Sequence, residues 1–260
     1  MLNEKVALIT GSTSGIGLAT AHVLAAQGIN LVLHGLMSID EGEELATEFS
    51  AQYGIKAIFD DADLMKVESI ERLIQHAIEQ MGSVDILINN AGIQHTESAE
   101  NFPLEKWNAI LSINLSAAFH AIQYALPKMK QNNWGRIINV ASVHGLVGSV
   151  NKSAYCAAQH GLVGLTKVLA LECAEHGVTV NAICPGWVDT PLINNQISAI
   201  AEKQDISFDE AKYKLVTAKQ PLPEMMAPEQ IGEFILFLCS ESARSITGSA
   251  LPMDGAWTAQ

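Results

Sequence analysis

The sequence is poor in charge, and poorest in positive charge. Of 260 residues only 15 are Lys or Arg, against 28 Asp or Glu, and the formal net charge is −13. No cluster of basic residues stands out, so nucleic acid and anionic membrane surfaces are not expected partners. Cysteine is scarce as well. Cys156, Cys173, Cys184 and Cys239 are scattered, with no C-x-x-C pair and no metal-ligand spacing. That argues against a disulfide scaffold, gives no metal site, and fits reduced thiols. No stretch approaches ~20 uninterrupted apolar residues, the length that spans a bilayer. Met1-Leu2-Asn3-Glu4-Lys5 lacks the basic segment and long apolar run of a secretory leader. These absences lead us to expect a soluble, cytoplasmic protein.

What is plentiful is apolar side chain, at 48% of residues, enough for a substantial core. Short apolar runs alternate with longer helical patterns. Strands are expected at 5–10, 30–34, 55–59, 84–89, 136–141, 178–183 and 249–253. Helices are expected at 15–28, 39–53, 66–81, 104–131, 153–176, 191–219 and 228–240. Nearly continuous apolar strands imply a sheet covered on both faces, hence parallel. The expectation is an α/β fold: one doubly wound Rossmann domain over residues 1–260, with a seven-stranded parallel sheet between helix layers. The polar segment 190–220 interrupts the alternation beyond the carboxyl ends of the strands, as a helical lid would.

Three groups of residues carry chemistry. Gly11-Ser12-Thr13-Ser14-Gly15-Ile16-Gly17 follows the first strand and opens a helix. Glycines let a backbone turn close to a pyrophosphate, and the helix N-terminus offers it free N–H groups. Asn89-Asn90-Ala91-Gly92 ends the fourth strand, where small residues allow close approach to a ligand. Asp63 follows the third strand, placed either to accept from an adenine amine or to cap a helix. Ser142 ends the fifth strand and Tyr155 stands thirteen residues later on a helix, so a hydroxyl and a phenol can converge on one substrate oxygen.

In this order and at these separations, with Pro185-Gly186 further on, the motifs resemble the short-chain dehydrogenase/reductase family over essentially the whole chain. Asn89 to His95, Ser142 to Gly145, Asn151 to Tyr155, Pro185 to Val188 and Asp254 to Thr258 are similar to family members that interconvert 3-hydroxybutyrate and acetoacetate. The resemblance implies Tyr155 as general acid/base, Ser142 bonded to the reacting oxygen, and Asn114 supporting a proton relay. It implies Gln94, His144, Lys152 and Gln196 around the carboxylate of a small 3-hydroxy or 3-oxo acid, with Trp187 and Trp257 walling its methyl end. For the NAD cofactor it implies Gly11, Thr13, Ser14, Gly15, Ile16, Gly17, Leu36, Asp63, Leu64, Asn90, Ala91, Gly92, Tyr155, Gln159, Pro185, Gly186, Val188 and Thr190. It further implies a homotetramer built on the helices near 104–131 and 153–176, with Ala256 to Gln260 reaching a neighbouring subunit.

One position departs from the family. The motif Y-x-x-x-K reads Tyr155-Cys156-Ala157-Ala158-Gln159. The family lysine binds the nicotinamide ribose and depresses the tyrosine pKa. A cation ~4 Å away, at an effective dielectric of ~20, is worth roughly 4 kcal/mol, about 3 pKa units. Gln replaces the hydrogen bond but not the charge. Three accounts of Gln159 stay open: an introduced substitution that traps complexes, a natural variant of lower activity or higher pH optimum, and a dinucleotide-binding protein without turnover. For the cofactor, strand two ends His34-Gly35-Leu36-Met37, with no Arg to receive a 2′-phosphate and with Asp40 and Glu41 to repel one. This favours NAD over the NADPH of a 3-oxoacyl thioester reductase, the rival enzyme.

Overall fold

The computed structural model describes residues 2–259; Met1 and Gln260 lie outside the described residues. Seven strands, β1 (Val6–Ile9), β2 (Asn30–His34), β3 (Ala57–Asp60), β4 (Ile86–Asn89), β5 (Gly135–Val140), β6 (Val178–Pro185) and β7 (Ala250–Met253), form one sheet. Their order is β3-β2-β1-β4-β5-β6-β7, and every pairing is parallel. This is the expected Rossmann arrangement.

The alternation of side chains along each strand builds two cores. Leu8, Val32, Leu87, Ile137 and Val180 face one way and pack with residues of α3 (Val67–Met81), α5 (Ala117–Gln131) and α6 (Ser153–Cys173). Ile9, Leu33, Ile88, Ile138 and Ile183 face the other way, against α1 (Gly15–Ala25), α2 (Ile39–Tyr53) and α9 (Pro228–Cys239). Local chemistry sets the ends of these helices. At the start of α2 the Ser38 hydroxyl accepts from Glu41 N, and the Glu41 carboxylate accepts from Ser38 N. Gly54 then ends the helix with φ +68°.

Two expected helices are interrupted. The run 104–131 comprises α4 (Leu104–Leu111), a π turn at Ser112–Ser116, and α5. As a continuous helix Leu104–Gln131 is long and apolar enough to cross a membrane by length and composition, but Ala117, Ala121, Ile122, Ala125 and Met129 pack it onto the sheet. The segment 191–219 divides into α7 (Pro191–Gln204) and α8 (Phe208–Thr217). Asp205 breaks it at φ +52°, and Ser207 Oγ restarts it by accepting from Glu210 N. Propensity sums across such a break, so the pattern read it as one helix.

A buried polar chain ties the sheet to the helix that bears Tyr155. Asn89 donates to Asn139 Oδ1 at 2.9 Å, Asn139 donates to Thr166 Oγ1 at 2.8 Å, and Thr166 donates to Leu162 O at 2.8 Å. Replacing Thr166 by Val keeps the shape but leaves the Asn139 amide without its acceptor. Chemical denaturation of Thr166→Val should show a loss of about 1–3 kcal/mol.

Candidate active site

In a doubly wound sheet, ligands bind beyond the carboxyl ends of the strands, where the strand order reverses. Here the reversal lies between β1 and β4, whose neighbours are β2 and β5. A cleft of about 550 Å³ opens at that edge. Of the expected dinucleotide residues, Gly11, Thr13, Ser14, Gly15, Ile16, Leu36, Asp63, Leu64, Asn90, Ala91, Gly92, Tyr155, Gln159 and Thr190 line it, with Gln94 and Asn114. Gly17, Pro185, Gly186 and Val188 are not on its wall. Gly17 acts underneath: a Cβ there would sit 2.2 Å from Gly11 O and 2.6 Å from Asn90 Nδ2. Its absence lets the start of α1 close onto the turn.

The cleft residues fit a dinucleotide. Gly11 and Gly15 hold φ of +66° and +53°, which the tight turn requires. Ser14 at the N-cap of α1 makes no side-chain capping bond, and the first turn holds no acidic residue. The helix therefore presents free N–H groups and its positive end to an anion. Deeper in, the amide oxygen of buried Gln159 has no partner among the described residues, an acceptor left over for a ligand hydroxyl or amide.

His34 is a residue that sequence patterns passed over. It is 2% exposed. Gly11 N donates to its Nδ1 at 3.1 Å, and its Nε2 lies 2.8 Å from Ala62 O. The Nδ1 contact requires an unprotonated nitrogen, so the ring is neutral, and burial lowers its pKa. The imidazole thus ties the glycine turn to the end of β3. Its position at the strand terminus was the only signal available. Leu36, beyond it, is 86% exposed. Asp63 turns out to hold its own loop: its carboxylate accepts from Met65 N at 3.0 Å and pairs with Lys66 at 3.1 Å. Those contacts, the Met65 bond first, lower its pKa.

A second cluster adjoins the cleft at Tyr155. Ser142 Oγ lies 3.2 Å from His144 Nδ1 and accepts from His144 N at 3.2 Å. The His144 ring meets Tyr155 and Trp257 edge-on, with centroids 5.9 and 5.5 Å apart. Trp187 lies 5.6 Å from Trp257. The Lys152 ammonium stands 5.9 Å from the ring centroids of both Tyr155 and Trp187. The structure thus gathers Ser142, His144, Lys152, Tyr155, Trp187 and Trp257, which are spread over 116 residues of sequence. Gln196 stays apart: its amide nitrogen faces Leu192 O of its own helix at 3.5 Å. Trp257 meets His144 and Trp187 of its own chain.

Burial governs protonation here. It pushes the Tyr155 phenol above its ordinary value, against the opposing pull of the Ser142 and Gln159 side chains. Burial, then repulsion from Lys152, lowers His144 to about 4, so its ring is neutral near pH 7. A neutral imidazole has one ring proton. His144 can donate Nδ1–H to Ser142 or Nε2–H to a ligand, but not both. The Lys152 pKa is lowered by burial. Asn114, within the π turn, has both side-chain polar atoms engaged with the Ile93 backbone at 2.9 Å. Its side chain therefore fixes the loop leading to Gln94.

Because His144 resists protonation when folded, the unfolded chain binds more protons between its ordinary 6.5 and about 4. Stability is full above that window and falls as pH drops through it. His144→Gln should reduce the loss between pH 7 and about pH 4.5 by roughly 2 kcal/mol, measured by denaturation at both pH values.

Known proteins share this architecture. A short chain dehydrogenase family model matches residues 5–201. The chain is 52% identical to a D-beta-hydroxybutyrate dehydrogenase of Cupriavidus necator, covering 100% of both. It is 46% identical to one of Rhizobium meliloti, covering 98% of this chain and 99% of the relative. The crystal structure of levodione reductase superposes with a TM-score of 0.90 at 31% identity, covering 100% of this chain and 99% of that one. The protein belongs to the short-chain dehydrogenase family and is an oxidoreductase.

Proposed function

We propose that the protein interconverts D-3-hydroxybutyrate and acetoacetate with NAD, with oxidation displaced to high pH by Gln159. The observation that carries this reading is the Lys152 ammonium, half-buried beside Tyr155 and Trp187 and without an ion pair among the described residues. In a chain of net charge −13, a sheltered cation beside an aromatic cluster suits a short carboxylate. The two relatives bear the same activity in their names. NAD is favoured over NADP by the rim of the cleft. Leu36 is apolar and Glu41 is tied to Ser38. Among the described residues, no arginine lines the cleft.

A nicotinamide dinucleotide, when bound, supplies the hydride acceptor or donor. The chain's own residues do the rest. The α1 N-terminus and the glycine turn would hold the diphosphate, and Gln159 Oε1 would accept from the cofactor. Lys152 would anchor the substrate carboxylate, and the paired indoles would limit the other end of the acid. In oxidation Tyr155, as phenolate, takes the hydroxyl proton from the substrate while Ser142 hydrogen-bonds the same oxygen. Ser142 can donate that bond when His144 carries its proton on Nδ1 and donates to Oγ. In reduction Tyr155 returns the proton. A phenol raised by burial is rarely ionised near pH 7, so oxidation suffers first.

Gln159→Lys should raise kcat/KM for 3-hydroxybutyrate oxidation by about 100-fold near pH 7 and under about tenfold near pH 10. Equal rates of the two forms at neutral pH would refute the electrostatic account. Dinucleotide binding without turnover of any 3-hydroxy acid in either form would make the protein a binder rather than this dehydrogenase. Lys152→Met should raise the KM for 3-hydroxybutyrate about 100-fold, roughly 2–3 kcal/mol, and leave the dissociation constant for NADH unchanged.

A further inference from the structure

Gln220, in the loop after α8, is 2% exposed and joins three segments of the chain. Its amide nitrogen donates both protons, to Leu222 O at 2.8 Å and Glu224 O at 2.7 Å. Its amide oxygen faces Trp187 N at 3.5 Å. The side chain fits only because its neighbours lack Cβ atoms. A Cβ on Gly255 would stand 2.5 Å from its Cγ and Cδ, and one on Gly186 would stand 3.0 Å from its Oε1.

The loop that Gln220 folds is stitched on both sides. Met226 N donates to Trp187 O, and Asp189 N donates to Met226 O, at 2.9 and 2.8 Å. On the other side Leu222 N donates to Gly255 O at 3.1 Å. Trp187 leaves β6 on one side, and Trp257 follows Gly255 on the other. Asp254 completes the second arm by accepting from Thr258 N and Thr258 Oγ1. The two indoles meet at 5.6 Å. Gly186 N donates to Met253 O at 2.8 Å, which holds the roots of the two arms side by side at the ends of β6 and β7; further out, the loop of Gln220 bonds to both arms.

We propose that Gln220 is a positioning residue that sets the size of the substrate pocket, by holding the Trp187–Trp257 wall and so the length of acid accepted. As a statement about selectivity this rests on the 3-hydroxy acid reading above; as a statement about the wall it does not. Gln220→Met keeps the side-chain length and removes both donated bonds. It should lower the preference for 3-hydroxybutyrate over 3-hydroxyhexanoate, as a ratio of kcat/KM, about tenfold. It should also weaken the far-ultraviolet exciton signal of the paired indoles and leave the dissociation constant for NADH unchanged. Gln220→Glu, which sets a carboxylate against the Leu222 and Glu224 carbonyls, should act in the same direction and serves if the first variant does not fold. An unchanged ratio and exciton signal in a folded variant would overturn the proposal. So would a fall in NADH affinity matching the change in substrate selectivity, which marks a general structural defect. If the unaltered protein turns over no 3-hydroxy acid, the functional reading fails, and the exciton signal alone decides whether Gln220 holds the wall.

Discussion

A parallel sheet must be covered on both faces, because each strand needs a crossover and the crossovers bring helices. Much else in this molecule follows from that constraint. All seven strands point one way, so every strand-to-helix loop of the sheet emerges at one edge. Reversal of strand order between β1 and β4 parts the loops there and leaves a cleft. Gly11, Asn90, Ala141 and Thr190 follow four different strands, yet all line one cleft because their strands end together. The buried chain Asn89–Asn139–Thr166 then fixes α6 against the sheet, and with it Tyr155 and Gln159.

The electrostatics of the site are those of a place sheltered from water and short of cations. Burial raises Tyr155 and lowers His144 and Lys152. Each shift disfavours the charged form. A lysine at 159 would oppose this for the phenol; a glutamine offers only a dipole, and its oxygen is unpaired among the described residues. The remaining local charge is Lys152, whose position beside two aromatic rings suits it to a ligand carboxylate more than to the phenolate. Net charge, set by exposed acids, says little about such a site, since dissolved salt at about 0.1 M screens surface charges over about 10 Å.

Much of the fold was legible without coordinates. Strands buried on both faces must be apolar at consecutive positions, and Val6 to Ile9 or Ile86 to Ile88 can hardly be read otherwise. The glycine turn after β1 was legible because its glycines answer a backbone demand that few residues meet. The breaks at Ser112–Ser116 and Asp205 were not. Each is a local change of hydrogen bonding within a helix-forming stretch, and neither carries a proline or glycine to mark it. His34 and Gln220 were equally hidden, since a buried polar residue is recognised by its partners, and these lie 23 and 28 residues from His34 and, for the Trp187 contact, 33 residues from Gln220.

The sequence by itself determined the layer order, the glycine turn, the placing of Ser142 after β5 and Tyr155 on the next long helix, and the glutamine four residues after Tyr155. Those depend on residue type and short-range spacing, which a chain carries in one dimension. Only the tertiary structure decided that Lys152 faces Trp187, that Trp257 folds back onto His144, and that Gln196 remains with its own helix. It also decided the protonation states, because a pKa depends on how much water and which charges surround a group. Those surroundings are assembled from segments far apart in the chain and exist only once it has folded.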